Sequence, residues 1–410
     1  MTAPFSLYSQ PHQFEPLLPS AQAAEPLLAK AHTLLSLAHQ VMGRADPSVM
    51  QPLSQLLRGM NSYYTNKIEG QHTLPSQLES ALKKQFSADE DISRKQRMAV
   101  AHMAAQAWAE AHYAHTDWRA LLQPRVVCAL HEKLFAPLPE GDRIIKDPDD
   151  STRDYVMQPG QLRTREVRVG QHEAPAAASV LAFMQRFADA YQGTRDGELA
   201  VVAVAAAHHR LAWIHPFADG NGRVARLHSH LLLQRMGLTN GVWSPLRGLA
   251  RTQSDYYLRL AQADMPRHGD LDGRGNLSEQ RLVEFVDYFL DVCIDQARFM
   301  STMLNMQTIR QRIRACVAFE STREGSGIRM EAELALYTLC ATGPLERGEF
   351  KRITGLAART ADRLLRDLEL RELVRSDTPK GKLIFGVPFH ALRFYFPNLW
   401  PEAEAQIESF

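Results

Sequence analysis

Apolar residues recur at helical spacing along most of this chain, and the interruptions of that rhythm are where its polar chemistry gathers. Residues 1–22 are rich in Pro and Ser and read as irregular, whereas over 23–60 positions such as Leu34, Leu35, Leu37 and Ala38 fit two amphipathic helices. Residues 62–69 continue as helix with polar groups among the aromatics, and Gly70 fits the stop after them. Further helices are predicted over 92–115 and 125–134, followed by a loop dense in Pro, Asp and Gly over 136–152. Then the period shortens. Tyr155 and Val156, the turn residues 158–161 and the stretch 166–169 read as one β-hairpin, with β-branched residues around Pro159-Gly160. From there the pattern is helical to about residue 314, broken by a Gly- and Asp-rich loop at 267–276.

The last 80 residues differ in kind. They predict a helix over 330–340, a second over 345–353, a turn at Thr354-Gly355 and a third helix over 357–373. Two short strands, 373–375 and 383–385, then flank Pro379-Lys380-Gly381, giving the order of a winged helix-turn-helix. The whole reads as a mainly α chain. Its expected organisation is an N-terminal helical region over 1–95, a central helical core with a small hairpin over 96–300, a linker helix over 301–328 and the winged helix-turn-helix over 329–410.

Charge narrows the classes of partner. Lys and Arg number 47 against 46 Asp and Glu, so the chain as a whole has no field that would attract nucleic acid or an acidic membrane. Locally, residues 347–382, with 10 basic against 6 acidic side chains, lean positive, and Arg359, Arg363 and Arg366 share the third helix there. That face is a candidate for contact with DNA or with a protein. Cys128, Cys293, Cys316 and Cys340 form no CxxC pair, so buried, reduced thiols are expected rather than a zinc or disulfide framework. The first 20 residues lack a basic region before an apolar run, and the longest apolar stretch, 199–207, is far below the roughly 20 residues of a membrane span. A soluble, cytoplasmic protein with no membrane partner is the expectation.

The richest interruption is residues 215–226, HPFADGNGRVAR, between an apolar helix ending at Ile214 and another over 224–236. Gly220, Asn221 and Gly222 let backbone N–H groups approach a ligand, and the new helix adds its positive end. Arg223 and Arg226, three apart, lie near one side of the first turn and suit a polyphosphate. Asp219 offers one hard oxygen ligand, as Mg²⁺ on a phosphate requires, and His215 at the loop entrance takes a proton near neutral pH. A base, a metal ligand, an anion cradle and two guanidinium forks together suit attack of a hydroxyl on a nucleotide phosphate.

These twelve positions resemble, without a mismatch, the Fic family signature HxFx[D/E]GNGRxxR. The resemblance extends over about residues 62–300 and implies a mostly helical Fic core with a hairpin flap. It further implies transfer of AMP from Mg²⁺-bound ATP to a Ser, Thr or Tyr hydroxyl of a protein target, the chain itself among the candidates. Carried over by position, His215 is similar to the family's general base, Phe217 to the apolar anchor of the loop and Asp219 to the Mg²⁺ ligand. Gly220, Asn221 and Gly222 correspond to the phosphate cradle, and Arg223 and Arg226 to the phosphate clamps. The kinase-like branch of the family has Ala-Asn-Lys at the positions of Gly220 to Gly222, so nucleotide transfer is favoured. Residues 65–70, TNKIEG, resemble the inhibitory motif [S/T]xxxE[G/N] of the class with an N-terminal inhibitory helix, in which Glu69, with Thr65 and Gly70, would occupy Arg226. Residues 156–170 resemble the flap that pins a target segment, with Gln161 and Arg163 as its docking residues. Tyr256 and Tyr257 are similar to a pair that walls the base, with helical core as the competing reading, while His208 and His209 read as packing. Two other functions compete: removal of AMP at the same site, and a nucleotide-sensing regulator whose residues 329–410 bind DNA.

Overall fold

The computed structural model describes residues 8–43, 47–146, 152, 154–170 and 172–402, with side chains in the helix that opens at Pro47 described from Leu53 onward. Helices α1 (Ala21–Met42) and α2 (Pro47–Ile68) account for the first two predicted, and the stretch 62–69 is the end of α2 rather than a separate helix. Next come α3 (Pro75–Leu82), α4 (Glu90–His112) and α5 (Pro124–Phe135). Proline opens α3 and α5 at a position whose N–H has no helical partner anyway. Asp89 caps α4 by accepting from the Ile92 N–H at 2.9 Å. The domain boundary expected at residue 95 therefore falls inside α4, which runs unbroken across it.

At the centre run α6 (Val180–Gln192), α7 (Glu198–Ile214) and α8 (Asn221–Arg235), enclosed by α9 (Leu246–Arg251), α10 (Gln253–Ala263) and α11 (Glu279–Met303). α7 is apolar around most of its circumference and is buried accordingly, packed by α1, α6, α8 and α11. Its alanines at 203 and 205–207, none more than 1% exposed, let those neighbours approach closely. The loop 215–226 thus leaves from a rod held on all sides.

The predicted hairpin is rearranged. β1 (Ile144–Ile145) pairs antiparallel with β2 (Tyr155–Val156), and β3 (Arg168–Val169) pairs with β4 (His172–Glu173). Residues 155–156 and 166–169 are therefore not partners across Pro159-Gly160; each joins a neighbour on its other side. The physical reason is that the segment between them is bound to the loop 215–226 instead, through the Arg163 N–H and the Pro216 carbonyl among other contacts.

After α12 (Met306–Thr322) come α13 (Ala332–Thr342), α14 (Arg347–Ile353) and α15 (Ala358–Leu370). β5 (Val374–Arg375) then pairs with β6 (Ile384–Phe385), Leu345 bridges to Leu383, and α16 (Leu392–Tyr395) packs back on α12. The turn between α14 and α15 uses Gly355 at φ +68°. This C-terminal unit does not stand apart: β6 touches α2. Among the described residues the four cysteines are free thiols, and no helix is long and apolar enough to cross a membrane.

Candidate active site

α7 ends on His215, whose backbone is left-handed at φ 51° and ψ 59°. A non-glycine residue held there marks a conformation imposed by its surroundings. The next turn is tied by its own side chains. Asn221 Oδ1 accepts from the Phe217 N–H at 2.9 Å and Asn221 Nδ2 donates to the Phe217 carbonyl at 2.8 Å, so both groups of this amide close the loop. Phe217 is fully buried against the His131 ring, at 3.9 Å between centroids. Gly220 sits at φ +79°, and a Cβ there would lie 2.3 Å from the Phe135 ring, which no side chain tolerates. Asp219, half exposed, accepts from the Gly220 N–H at 2.6 Å and from Arg223 Nη2 at 3.2 Å.

Helix α8 then starts at Asn221, its first-turn N–H groups without helical partners. Arg223 is 2% exposed, lies over the Phe135 ring and also reaches Gln71, yet its Nε has no partner among the described residues. Arg226 is 1% exposed and donates through Nε to Thr65 Oγ1 at 2.7 Å and through Nη2 to the Thr65 carbonyl and to Glu69 Oε1. Burial works to lower the Arg226 guanidinium, but the Glu69 carboxylate outweighs it and holds the group above its ordinary value. A Cβ at Gly222 would meet Glu69 Oε1 at 2.4 Å. The carboxylate therefore sits against the first turn of α8, where a bound anion would meet both the helix end and Arg226. Gly70, at φ +67°, follows the end of α2, and Gln71 N–H donates back to the Asn66 carbonyl at 2.8 Å.

The surroundings of His215 come from distant segments. Burial first, then the nearby His172 and Arg163, push its imidazole down to about 4, against opposing pulls from the Ala212 backbone and Asp219. It is neutral at physiological pH. Arg163, expected as a docking residue on the flap, is a brace: its guanidinium is fully buried and donates to the backbone carbonyls of His215 at 2.8 Å, Arg165 at 3.2 Å and Pro175. Its backbone N–H also donates to the Pro216 carbonyl, at 2.9 Å. Gln161, the other docking candidate, is exposed on the turn.

His131 is a site residue that the sequence pattern did not single out. The Gly160 N–H donates to its Nδ1 at 2.8 Å, which leaves Nε2 as the donor to the Asp219 carbonyl at 3.2 Å. One ring thus links the turn at Gly160 to the residue expected to hold a metal. Burial lowers it to about 4, so this neutral tautomer persists. The signal was present: Val127, Leu130, His131 and Leu134 form one apolar stripe of α5 with a histidine inside it.

Of the aromatic pair, Tyr256 is core: it is 1% exposed and its hydroxyl meets His208 Nε2 at 2.8 Å. Tyr257 is 43% exposed, and its hydroxyl donates to the Ile68 carbonyl at the end of α2, at 2.7 Å. His208 and His209 are fully buried supports, as expected; His209 Nε2 meets the Leu260 carbonyl and Asp264, each at 3.1 Å. For a divalent cation the fit is that of one half-exposed carboxylate, Asp219, beside a helix end suited to phosphate, the donor set Mg²⁺ adopts when the substrate supplies the remaining oxygens.

Residues 121–233 match the Fic/DOC family. The match takes in the loop 215–226 and leaves Glu69 outside it. Over 108 residues the chain is 38% identical to a protein adenylyltransferase Fic of Drosophila willistoni, covering 26% of this chain and 21% of the relative. Over 119 residues it is 34% identical to a protein adenylyltransferase Fic of Nematostella vectensis, covering 28% of this chain and 26% of the relative. The chain thus spans about a fifth to a quarter of the length of these curated relatives. In fold it is similar to the crystal structure of a Fic family protein from Desulfovibrio desulfuricans G20, with a TM-score of 0.52 at 19% identity over 91% of this chain and 99% of that one.

Proposed function

From a chain that carries a Fic/DOC-family domain at residues 121–233, we propose an enzyme that transfers AMP from ATP to a hydroxyl of a protein side chain, with Glu69 as its built-in restraint. The single observation that carries this reading is the seat of the Glu69 carboxylate on Arg226 and the first turn of α8, the position built for a nucleotide phosphate. The α8 N-terminus, Gly220, Gly222 and Arg223 hold the α- and β-phosphates, with Asn221 keeping the loop in shape; Arg226 holds the γ-phosphate once Glu69 leaves it. Asp219 is the residue that would hold Mg²⁺, which when bound neutralises phosphate charge. Neutral His215 accepts the proton of the target hydroxyl as its oxygen bonds to the α-phosphorus. The bond from that phosphorus to the bridging oxygen breaks, and pyrophosphate carries away the electron pair. Tyr257 stands at the edge of the base pocket, and the segment after Gly160 presents the target.

The test is incubation of wild type, Glu69→Gly and Glu69→Gly/His215→Ala with Mg²⁺ and labelled ATP, GTP, UTP or CTP, read by intact mass of the protein and of lysate targets. An AMP-sized adduct that rises in Glu69→Gly and vanishes in the double variant supports the reading. Equal adduct with and without His215 overturns its role. Release of AMP from a modified target by wild type, lost in Glu69→Gly, would instead make removal the main activity.

A second reading, duplex DNA as a partner of residues 329–410, is favoured by one observation. On α15 Asp362 and Glu369 are engaged by Lys351 at 2.7 Å and by Arg347, while Arg359, Arg363 and Arg366 are exposed with no ion pair among the described residues. Salt-dependent binding of the full chain to duplex DNA, weakened in Arg363→Ala, is its test.

A further inference from the structure

The last two turns of α2 carry Thr65 and Glu69 toward Arg226, and a second set of contacts grips the same turns from behind. Tyr64 and Lys67 lie on roughly the opposite side of the helix from Thr65 and Glu69, as their spacing requires. Both meet one residue more than 330 positions later in the chain: Glu402 accepts from Lys67 Nζ at 2.6 Å and from the Tyr64 hydroxyl at 3.0 Å. Two residues before it, the fully buried Trp400 packs its ring 5.5 Å from that of Tyr63 and 5.3 Å from that of Phe389. The segment is fastened to the core in turn. Arg247 of α9, 5% exposed, donates to the Leu399 carbonyl at 3.1 Å and to the Asn398 carbonyl at 2.6 Å, with Gln296 as its third partner.

We propose that residues 398–402 are a latch that positions Glu69: by holding Tyr63, Tyr64 and Lys67, the C-terminal unit keeps the inhibitory helix pressed on Arg226. The inference rests on the reading of Glu69 as a restraint and adds what sets its strength. Glu402 and Lys67 are both about one-third exposed, so their pair contributes direction more than strength, and the buried Trp400 and Arg247 supply the anchorage. Residues 398–402 continue directly from the unit that contains α13 to α16, so a partner that shifts this unit against α2 loosens Glu69 without touching the nucleotide site. Glu402, Trp400 and Arg247 are positioning residues and take no part in the transfer.

The test uses the full chain with Mg²⁺ and ATP, read by intact mass and by amide hydrogen exchange. Glu402→Lys and Lys67→Glu, which replace the attraction by a like-charge contact, should each raise adduct formation about threefold to fivefold, the scale of an exposed ion pair. The two together restore the pair with its charges exchanged and should return the rate toward wild type, which ties the effect to the pairing and not to either side chain alone. In the single variants protection should fall over residues 63–70 and stay unchanged over α8. In a Glu69→Gly background neither substitution should add to the rate. If Glu69→Gly is activated while Glu402→Lys and Lys67→Glu are not, the latch is overturned and the restraint stands. If Glu69→Gly is itself inactive, both fall together. Loss of protection throughout the chain in the single variants, with no rescue in the pair, would assign Glu402 to folding alone and overturn the latch.

Discussion

The loop 215–226 and the described residues of the segment 144–173 lie side by side, yet they are built in opposite ways. The loop closes on itself: Asn221 clips Phe217, Asp219 takes the Gly220 N–H, and Arg223 returns to Asp219, all within four residues. The flanking segment, among its described residues, leans more on partners beyond it. The stretch between its two short ladders is tied to distant parts of the chain, with Gly160 donating to His131 and Arg163 to Pro216. A structure held by near neighbours in sequence can be read from sequence, and one held by distant carbonyls cannot.

The largest expected effect is on the self-contained loop. Gly220→Ala forces a left-handed alanine into the Phe135 ring, costing about 1–3 kcal/mol in strain, and the displaced loop should lose about 100-fold or more in transfer by the Glu69→Gly protein. Single-turnover adduct formation measures this, and wild-type-like turnover would show that the loop tolerates far more than its geometry implies.

Next is the brace. Arg163→Met keeps the stem and removes donors to three backbone carbonyls. It should cost about 100-fold in rate and lower the melting temperature, whereas Arg168→Met, at an exposed strand position, should stay within about twofold. Similar losses in both would mean that the flap acts through its surface.

A broader effect concerns pH. His102 and His208 lie near 3, and His131, His215 and His228 near 4, each lowered chiefly by burial. The unfolded chain protonates these groups at about 6.5, so between pH 6.5 and 4 it binds more protons than the folded one. Stability therefore rises with pH through that window and falls on acidification. Calorimetry should show a melting temperature several degrees lower at pH 5 than at pH 7.5, and a flat profile would contradict neutral burial of these rings. Over the same range the transfer rate should hold until the pH approaches 4, since His215 stays neutral.

The smallest effect tests the edge of the site. Tyr257→Phe removes one hydrogen bond to the end of α2, a change of about 1 kcal/mol, and should raise adduct formation in the wild-type background by up to about fivefold. If Tyr257 only walls the base, the ATP requirement changes instead and the restraint does not.

Hydrophobic rhythm, with the glycines and polar residues that interrupt it, determined the helical character of the chain, the stop of α2 before Gly70, the exit from α7 at Ile214 and the residues gathered at 215–226, while α8 opens three residues earlier than the rhythm placed it. Those features depend on period, capping and glycine, which act over a few residues. The pair of short ladders, the burial of Arg163, the place of His131 between Gly160 and Asp219 and the separation of Tyr256 from Tyr257 were decided by tertiary structure. So was the meeting of Glu402 with Lys67. Each depends on which backbone carbonyl or ring the fold brings to a given side chain from far along the chain. Such contacts depend on the space left between the helices packed around α7, and no local pattern of residues records where that space will be.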